Sequence, residues 1–249
     1  MAFLRGIIVT SVLMCGAFVA SQSALAWRTQ YDERCENRDG RFSPEAQIDA
    51  CNKNMQIDRH HAKNLAADYV NRSNAYEDSG NIEKAVSDVS EAVRLYPSTR
   101  EGWLNRCGLY NRAGRFDEAL SDCTRAIAND PKNAKPHYNR GNVYRRMKNY
   151  PLALENYNNA KALDTGNISI YINRGLTYEE LNEPQKALDD YNAALRIDPN
   201  SALALENRGF VNVRLGKKAE AIADFKAALT LQPNNKNAQE QLQKLEASQ

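Results

Sequence analysis

The sequence predicts an all-α protein made of stacked helical hairpins. Three observations carry this: a 34-residue period, small residues recurring at fixed places within it, and Gly and Pro recurring at the two places in each period where helices must turn or stop. Self-similarity at such a period marks a repeat architecture, and it governs how every other residue is read. Starting at Ala66 the chain divides without gaps into five blocks, 66–99, 100–133, 134–167, 168–201 and 202–235. Positions below are counted within the block.

Position 20 is Ala85, Ala119, Ala153, Ala187 and Ala221, and position 27 is Ala92, Ala126, Ala160, Ala194 and Ala228. Position 8 is always small: Ser73, Cys107, Gly141, Gly175 and Gly209. Small residues at 8, 20 and 27 let two helices approach. Large residues at 4, 11 and 24 (Tyr157, Tyr191 and Phe225 among the last) fill the space around them. Position 11 is Tyr76, Tyr110, Tyr144 and Tyr178, then Asn212. Gly80, Gly114 and Gly216 at position 15 suit a turn with positive φ. Pro97, Pro131, Pro199 and Pro233 at position 32 stop the second helix, with Thr165 the exception. Each block therefore reads helix A, turn, helix B. One hairpin cannot bury its own apolar face, so neighbours must stack.

These blocks resemble tetratricopeptide repeats, with the aromatic, small, Tyr, Ala, aromatic, Ala and Pro positions at that family's spacing. The resemblance spans residues 66–235. It implies a right-handed superhelical solenoid that binds other proteins, with the A helices lining a concave groove at positions 2, 5, 6, 9, 12 and 13. Fold alone does not name a partner.

The ends read differently. Arg5, an apolar run from Gly6 to Ala20, and Ala24-Leu25-Ala26 form the pattern of a secretory signal peptide over 1–26. The run is shorter than the ~20 residues of a membrane helix, so no membrane insertion is expected after cleavage. Export implies a periplasmic or secreted protein, of a Gram-negative-type cell. Residues 27–65 read as a degenerate first hairpin, since Gly40-Arg41-Phe42 echoes Gly114-Arg115-Phe116. Residues 236–249 read as a capping helix with one apolar edge, Leu242 and Leu245.

The four cysteines after the signal fall into two pairs of equal spacing, Cys35 with Cys51 and Cys107 with Cys123. In an antiparallel hairpin, residues equidistant from the turn meet, and an exported chain enters an oxidising space. Both pairs are disulfide candidates. For Cys107 and Cys123 the alternative is two buried thiols acting as small apolar residues. No spacing supports a metal site.

The chain carries 33 Lys and Arg against 31 Asp and Glu. A net charge this small gives no reason to expect nucleic acid as a partner. No phosphate loop, nucleophile elbow or metal motif is present, so no enzyme and no cofactor are expected. His137 occupies the aromatic position 4 of its block, where packing accounts for it.

The candidate binding residues lie on the A helices. Position 6 is Asn71, Asn105, Asn139, Asn173 and Asn207. A carboxamide offers one acceptor and two donors, and one per repeat can hold the main chain of an extended peptide. The resemblance extends to the asparagine ladders of other such superhelices. The alternative is that each Asn bonds its own neighbours. Asn74, Asn142, Lys135, Arg112, Arg145 and Arg146 complete the candidate groove, whose middle is expected to be basic between acidic outer blocks, with Glu77 and Asp78 before and Glu179 and Glu180 after. Asn74, Asn105 and Lys135 match the pattern of the family's carboxylate clamps, but Val70 and Asn139 stand where that clamp needs Lys and Arg. Position 7 is Arg72, Arg106, Arg140, Arg174 and Arg208, and position 23 is Asp88, Asp122, Asn156, Asp190 and Asp224. The two sets lie equally far from the turn, which predicts a structural ladder of Arg–carboxylate pairs.

Overall fold

A computed structural model describes residues 33–58 and 61–247. The expected signal segment, His60 and the last two residues lie outside the described residues. The chain divides between Ala113 and Gly114 into two compact units, each taken by itself below.

The first unit holds a helical turn at 33–36, then α1 (Pro44–Asp58), α2 (Ala62–Asp78), α3 (Ile82–Leu95) and α4 (Arg100–Arg112). The second holds α5 (Phe116–Asn129), α6 (Ala134–Arg146), α7 (Tyr150–Leu163), α8 (Ile168–Glu180), α9 (Pro184–Ile197), α10 (Ala202–Arg214), α11 (Lys218–Leu231) and α12 (Lys236–Ala247). The described residues contain no strand. Sequential helices pack as antiparallel neighbours within each unit.

The ends of the helices follow from side chains. Position 34 supplies the N-cap of the next A helix: Thr99 accepts from Gly102 N, Asn133 from Lys135 N, Asn167 from Ser169 N, Ser201 from Ala204 N and Asn235 from Ala238 N. Each such cap contributes about 1 kcal/mol. Position 15 takes positive φ in the turn whatever residue is there. Gly80, Gly114 and Gly216 do so freely, while Lys148 and Asn182 adopt φ of 60° and 57°. Position 4 ties consecutive hairpins. Trp103 Nε1 donates to the Pro97 carbonyl at 2.7 Å, Tyr171 Oη to that of Thr165 at 3.1 Å, and Gln239 Nε2 to that of Pro233 at 2.7 Å. Thr165 thus keeps the acceptor that the Pro positions supply.

Hairpins close where position 8 meets position 24. A Cβ added to Gly141 would lie 2.7 Å from the Tyr157 ring, and one on Gly175 2.7 Å from Tyr191. One on Gly209 would lie 2.8 Å from Phe225. Those three rings are fully buried. Each contributes on the order of 1.5–3 kcal/mol through burial. Where position 24 is smaller, position 8 is larger: Ser73 stands with Val89, and Ser73 Oγ donates to the Ala85 carbonyl at 2.9 Å.

The arginines of position 7 join hairpins as well as closing them. Arg72 donates to both oxygens of Asp88 at 2.7 Å. Arg174 forks onto Asp190, and Arg208 onto Asp224. Arg140 Nε donates to Asn156 Oδ1 at 2.7 Å. The predicted ladder is present within both units. A further bond runs to position 25 of the preceding hairpin: Arg140 to Thr124 at 3.2 Å, Arg174 to Asn158 at 2.5 Å and Arg208 to Asn192 at 2.9 Å. Arg72 reaches Asn52 of α1 in the same manner.

The cap preceding α2 is a hairpin. Asn37 at its turn accepts from Phe42 N and donates to the Phe42 carbonyl, both at 3.0 Å. Buried Gln47 donates to the carbonyls of Cys35 and Asn71, which seats the cap on α2. The sulfurs of Cys35 and Cys51 meet at 2.11 Å with no exposed surface. Cys107 and Cys123 are also fully buried, one in each unit.

Two outcomes are expected from urea unfolding. Gly175→Ala lowers stability by about 1–3 kcal/mol, because overpacking against Tyr191 exceeds the helix-propensity gain of about 1 kcal/mol. In a Tyr191→Leu background the same change becomes stabilising. Arg174→Leu costs about 3–5 kcal/mol, since it leaves buried Asp190 without its counter-charge. Adding Asp190→Leu restores much of that loss.

Candidate interaction surface

In the first unit, Asn71 and Asn74 lie on α2, and Asn105 and Arg112 on α4. Asn105 Nδ2 donates to Asn74 Oδ1 at 2.9 Å, a bond from one A helix to the next. Arg112 is ion-paired with Glu77. A hollow of about 670 Å³ opens beside Asn71. Its floor is Ala66, Ala67 and Val70, and its rim includes Lys63 and the start of α4 at Arg100.

In the second unit, Lys135, Asn139, Asn142, Arg145 and Arg146 lie on α6, Asn173 on α8 and Asn207 on α10. Asn173 Nδ2 donates to Tyr138 Oη at 2.5 Å, again between successive A helices. Asn207 Nδ2 is buried with no acceptor. Asn142 Oδ1 accepts from the Tyr157 hydroxyl at 2.7 Å. Arg146 lies over the Phe116 ring at 5.2 Å. Lys135 is exposed at the first turn of α6, and Asn139 is half-buried.

The ladder asparagines therefore occupy equivalent places on the A helices, and two of them already bond the neighbouring repeat. Each of those bonds uses one donor of the carboxamide and leaves its carbonyl oxygen.

Two of the acids in the expected contrast between a basic middle and acidic outer blocks are paired with arginine. Glu77 is matched by Arg112, and Glu179 by Arg214 at 3.5 Å. In both, position 12 of one repeat meets position 13 of the next, so charges cancel locally. The Tyr191 hydroxyl also donates to Glu179 at 2.5 Å, and Tyr150 to Glu180 at 3.3 Å.

Burial pushes the Tyr157 and Tyr191 phenols far above their ordinary range, with Glu179 adding to the shift at Tyr191. Both stay protonated and act as donors. Sequence reasoning assigned these rings to packing alone. Their hydroxyls cross the hairpin and orient Asn142 and Glu179 on the A-helix face. The sequence signal was an aromatic at position 24 that carries an oxygen. Burial, with Arg140 nearby, lowers the His137 pKa, so its imidazole is neutral at neutral pH, and Nδ1 is buried with no hydrogen bond. It packs at position 4, as its place in the block predicts.

Among the described residues, no group of three or more His, Cys, Asp or Glu could hold a metal ion. No described helix is long and apolar enough to cross a membrane.

Comparison with known proteins bears on this arrangement. Tetratricopeptide repeat models match residues 70–134, 134–167, 168–201 and 202–235. No curated protein matches the chain. Solved structures share the fold at low identity. MamA (41-end) from Desulfovibrio magneticus RS-1 has a TM-score of 0.58 at 22% identity, over 69% of this chain and 97% of that one. YrrB, described as a TPR protein with an unusual peptide-binding site, has a TM-score of 0.55 at 20% identity, over 78% and 97%. A thermophilic TPR protein of Thermus thermophilus, TTC0263, has a TM-score of 0.61 at 17% identity, over 72% and 98%. With the 34-residue hairpins, the interlocked A helices and these matches together, the chain belongs to the tetratricopeptide repeat family.

Proposed function

We propose that this protein is a non-catalytic scaffold that holds an extended segment of another protein on its A-helix face, in the periplasm or outside the cell. The observation that carries the reading is the Asn at position 6 of every repeat, presented at equivalent places on successive A helices. A main chain in extended form offers donors and acceptors at a regular interval, and one carboxamide per repeat can meet them whatever the side chains are. The similarity to YrrB, with its peptide-binding site, supports this reading. Export rests on the pattern of residues 1–26.

The cysteines fit the same setting. We take the cap to be stapled by Cys35–Cys51, whose sulfurs lie 2.11 Å apart, and the same 16-residue spacing makes Cys107 and Cys123 the second candidate pair. A bridge over a loop of this size stabilises by about 3 kcal/mol.

A second reading has its own observation. Leu163, Ile197 and Leu231, all at position 30, are 40–42% exposed at the ends of three B helices. An exposed apolar row is a feature of assembly surfaces, so self-association or envelope assembly through that side is the alternative. A stable oligomer in solution that hides the asparagines favours it.

Two measurements test these readings. Affinity capture from a periplasmic extract is run with the mature protein beside an Asn105→Ala, Asn139→Ala, Asn173→Ala variant of matched helicity. A specific protein retained by the first and lost by the second is expected, and equal retention overturns the asparagine ladder. Thiol counting on the unreduced, denatured mature protein is expected to find no free thiol. Four would remove both bridges.

A further inference from the structure

The arginine of position 7 normally sits among aromatic rings. Arg72 lies 5.3 Å from the Tyr69 ring and 5.8 Å from that of Tyr76. Arg106 lies 4.9 Å from Trp103 and 5.5 Å from Tyr110. Arg174 lies 6.0 Å from both Tyr171 and Tyr178. A guanidinium held in its own plane by hydrogen bonds still offers its faces for stacking, and such contacts contribute to binding and stability.

The fifth repeat departs from this arrangement. Position 4 is Leu205 and position 11 is Asn212. Asn212 is only 3% exposed, and it turns inward to donate to Asp224 Oδ2 at 2.9 Å. Arg208 keeps the same in-plane bonds as its counterparts, to Asp224 and Asn192. Its side chain is 27% exposed, against 10% for Arg174. A cavity of about 320 Å³ opens there, lined by Leu188, Arg208, Asn212, Lys217, Glu220 and Asp224. None of these stands at position 2, 5, 6, 9, 12 or 13, so the cavity is separate from the asparagine-bearing surface.

We propose that this cavity receives one tyrosine side chain of a partner polypeptide, which stacks on the Arg208 guanidinium where the other four repeats carry their own tyrosine. The other repeats show that an aromatic ring fits between a position 7 arginine and its B helix. Leu188 offers the apolar contact. Glu220 and Lys217 offer an acceptor and a donor to the phenol hydroxyl. The site would give the scaffold a single anchored side chain, in addition to the side-chain-independent hold of the asparagines.

The test uses 4-methylphenol, the side chain of tyrosine, as the probe and 4-methylcyclohexanol as a control of similar size. Amide and Arg Nε resonances of the mature protein are followed by NMR during titration of each. Saturable shifts at Arg208, Asn212 and Leu188 are expected with the phenol, with a Kd on the order of millimolar, and at least tenfold weaker binding of the control. Asn212→Tyr is expected to abolish the phenol response and to raise the urea midpoint, because the chain then fills its own cavity. Equal responses to the two probes, or none at Arg208, overturn the proposal in the unaltered protein without recourse to the variant. A phenol response that survives Asn212→Tyr, or a lowered midpoint in that variant, also overturns it.

Discussion

Each of the later hairpins closes on a contact between a residue without a side chain and a ring. Gly141, Gly175 and Gly209 leave room for Tyr157, Tyr191 and Phe225, whose nearest atoms would stand less than 3 Å from any added Cβ. That approach buries the ring completely and brings helix A close enough to helix B for everything else to form. Position 7 reaches position 23 only because the helices are this close. The phenols of Tyr157 and Tyr191 reach the A-helix face for the same reason, and there they hold Asn142 and Glu179.

The arginines convert separate hairpins into an array. Each fork onto a carboxylate or carboxamide within the hairpin fixes the guanidinium, and the remaining nitrogen reaches back to position 25 of the preceding one. Buried pairs of this kind are poor sources of stability but costly to break. Their use here is register. A bond from one repeat to the one before it sets the spacing of the A helices, and so the spacing of the asparagines. The position 4 donors to the position 32 carbonyls work at the same junctions. The pairing of Glu77 with Arg112 and of Glu179 with Arg214 offsets charge on the same A helices whose interval these bonds fix.

Repetition also makes departures informative. Lys148 and Asn182 take positive φ where the other repeats have glycine, so the turn geometry is imposed by the packing of the two helices rather than by the turn residue. Cysteines replace the glycine–aromatic pair in the second repeat, and two more stand in the cap with the same 16-residue spacing. In the fifth repeat the arginine remains while both of its rings are gone, and a cavity stands in their place.

The helices, their order and the arginine ladder were legible in the sequence, because a period of 34 repeats the same local physics five times. Small residues mark approach, proline marks a stop, and equal distance from a turn marks a pair. The candidate asparagines were legible as a set for the same reason. Tertiary structure decided what no periodicity could carry. It showed which donors of Asn105 and Asn173 are already used, and that Arg112 and Glu77, 35 residues apart, neutralise each other. It showed that the Tyr191 hydroxyl passes through the hairpin to Glu179, and that the small side chain of Asn212 leaves space open beside Arg208. These depend on side-chain reach across helices, where a difference of one atom decides between a bond, a contact and an open cavity. The sequence alone determined the elements and their register, and packing in three dimensions determined which polar groups remain available to a partner.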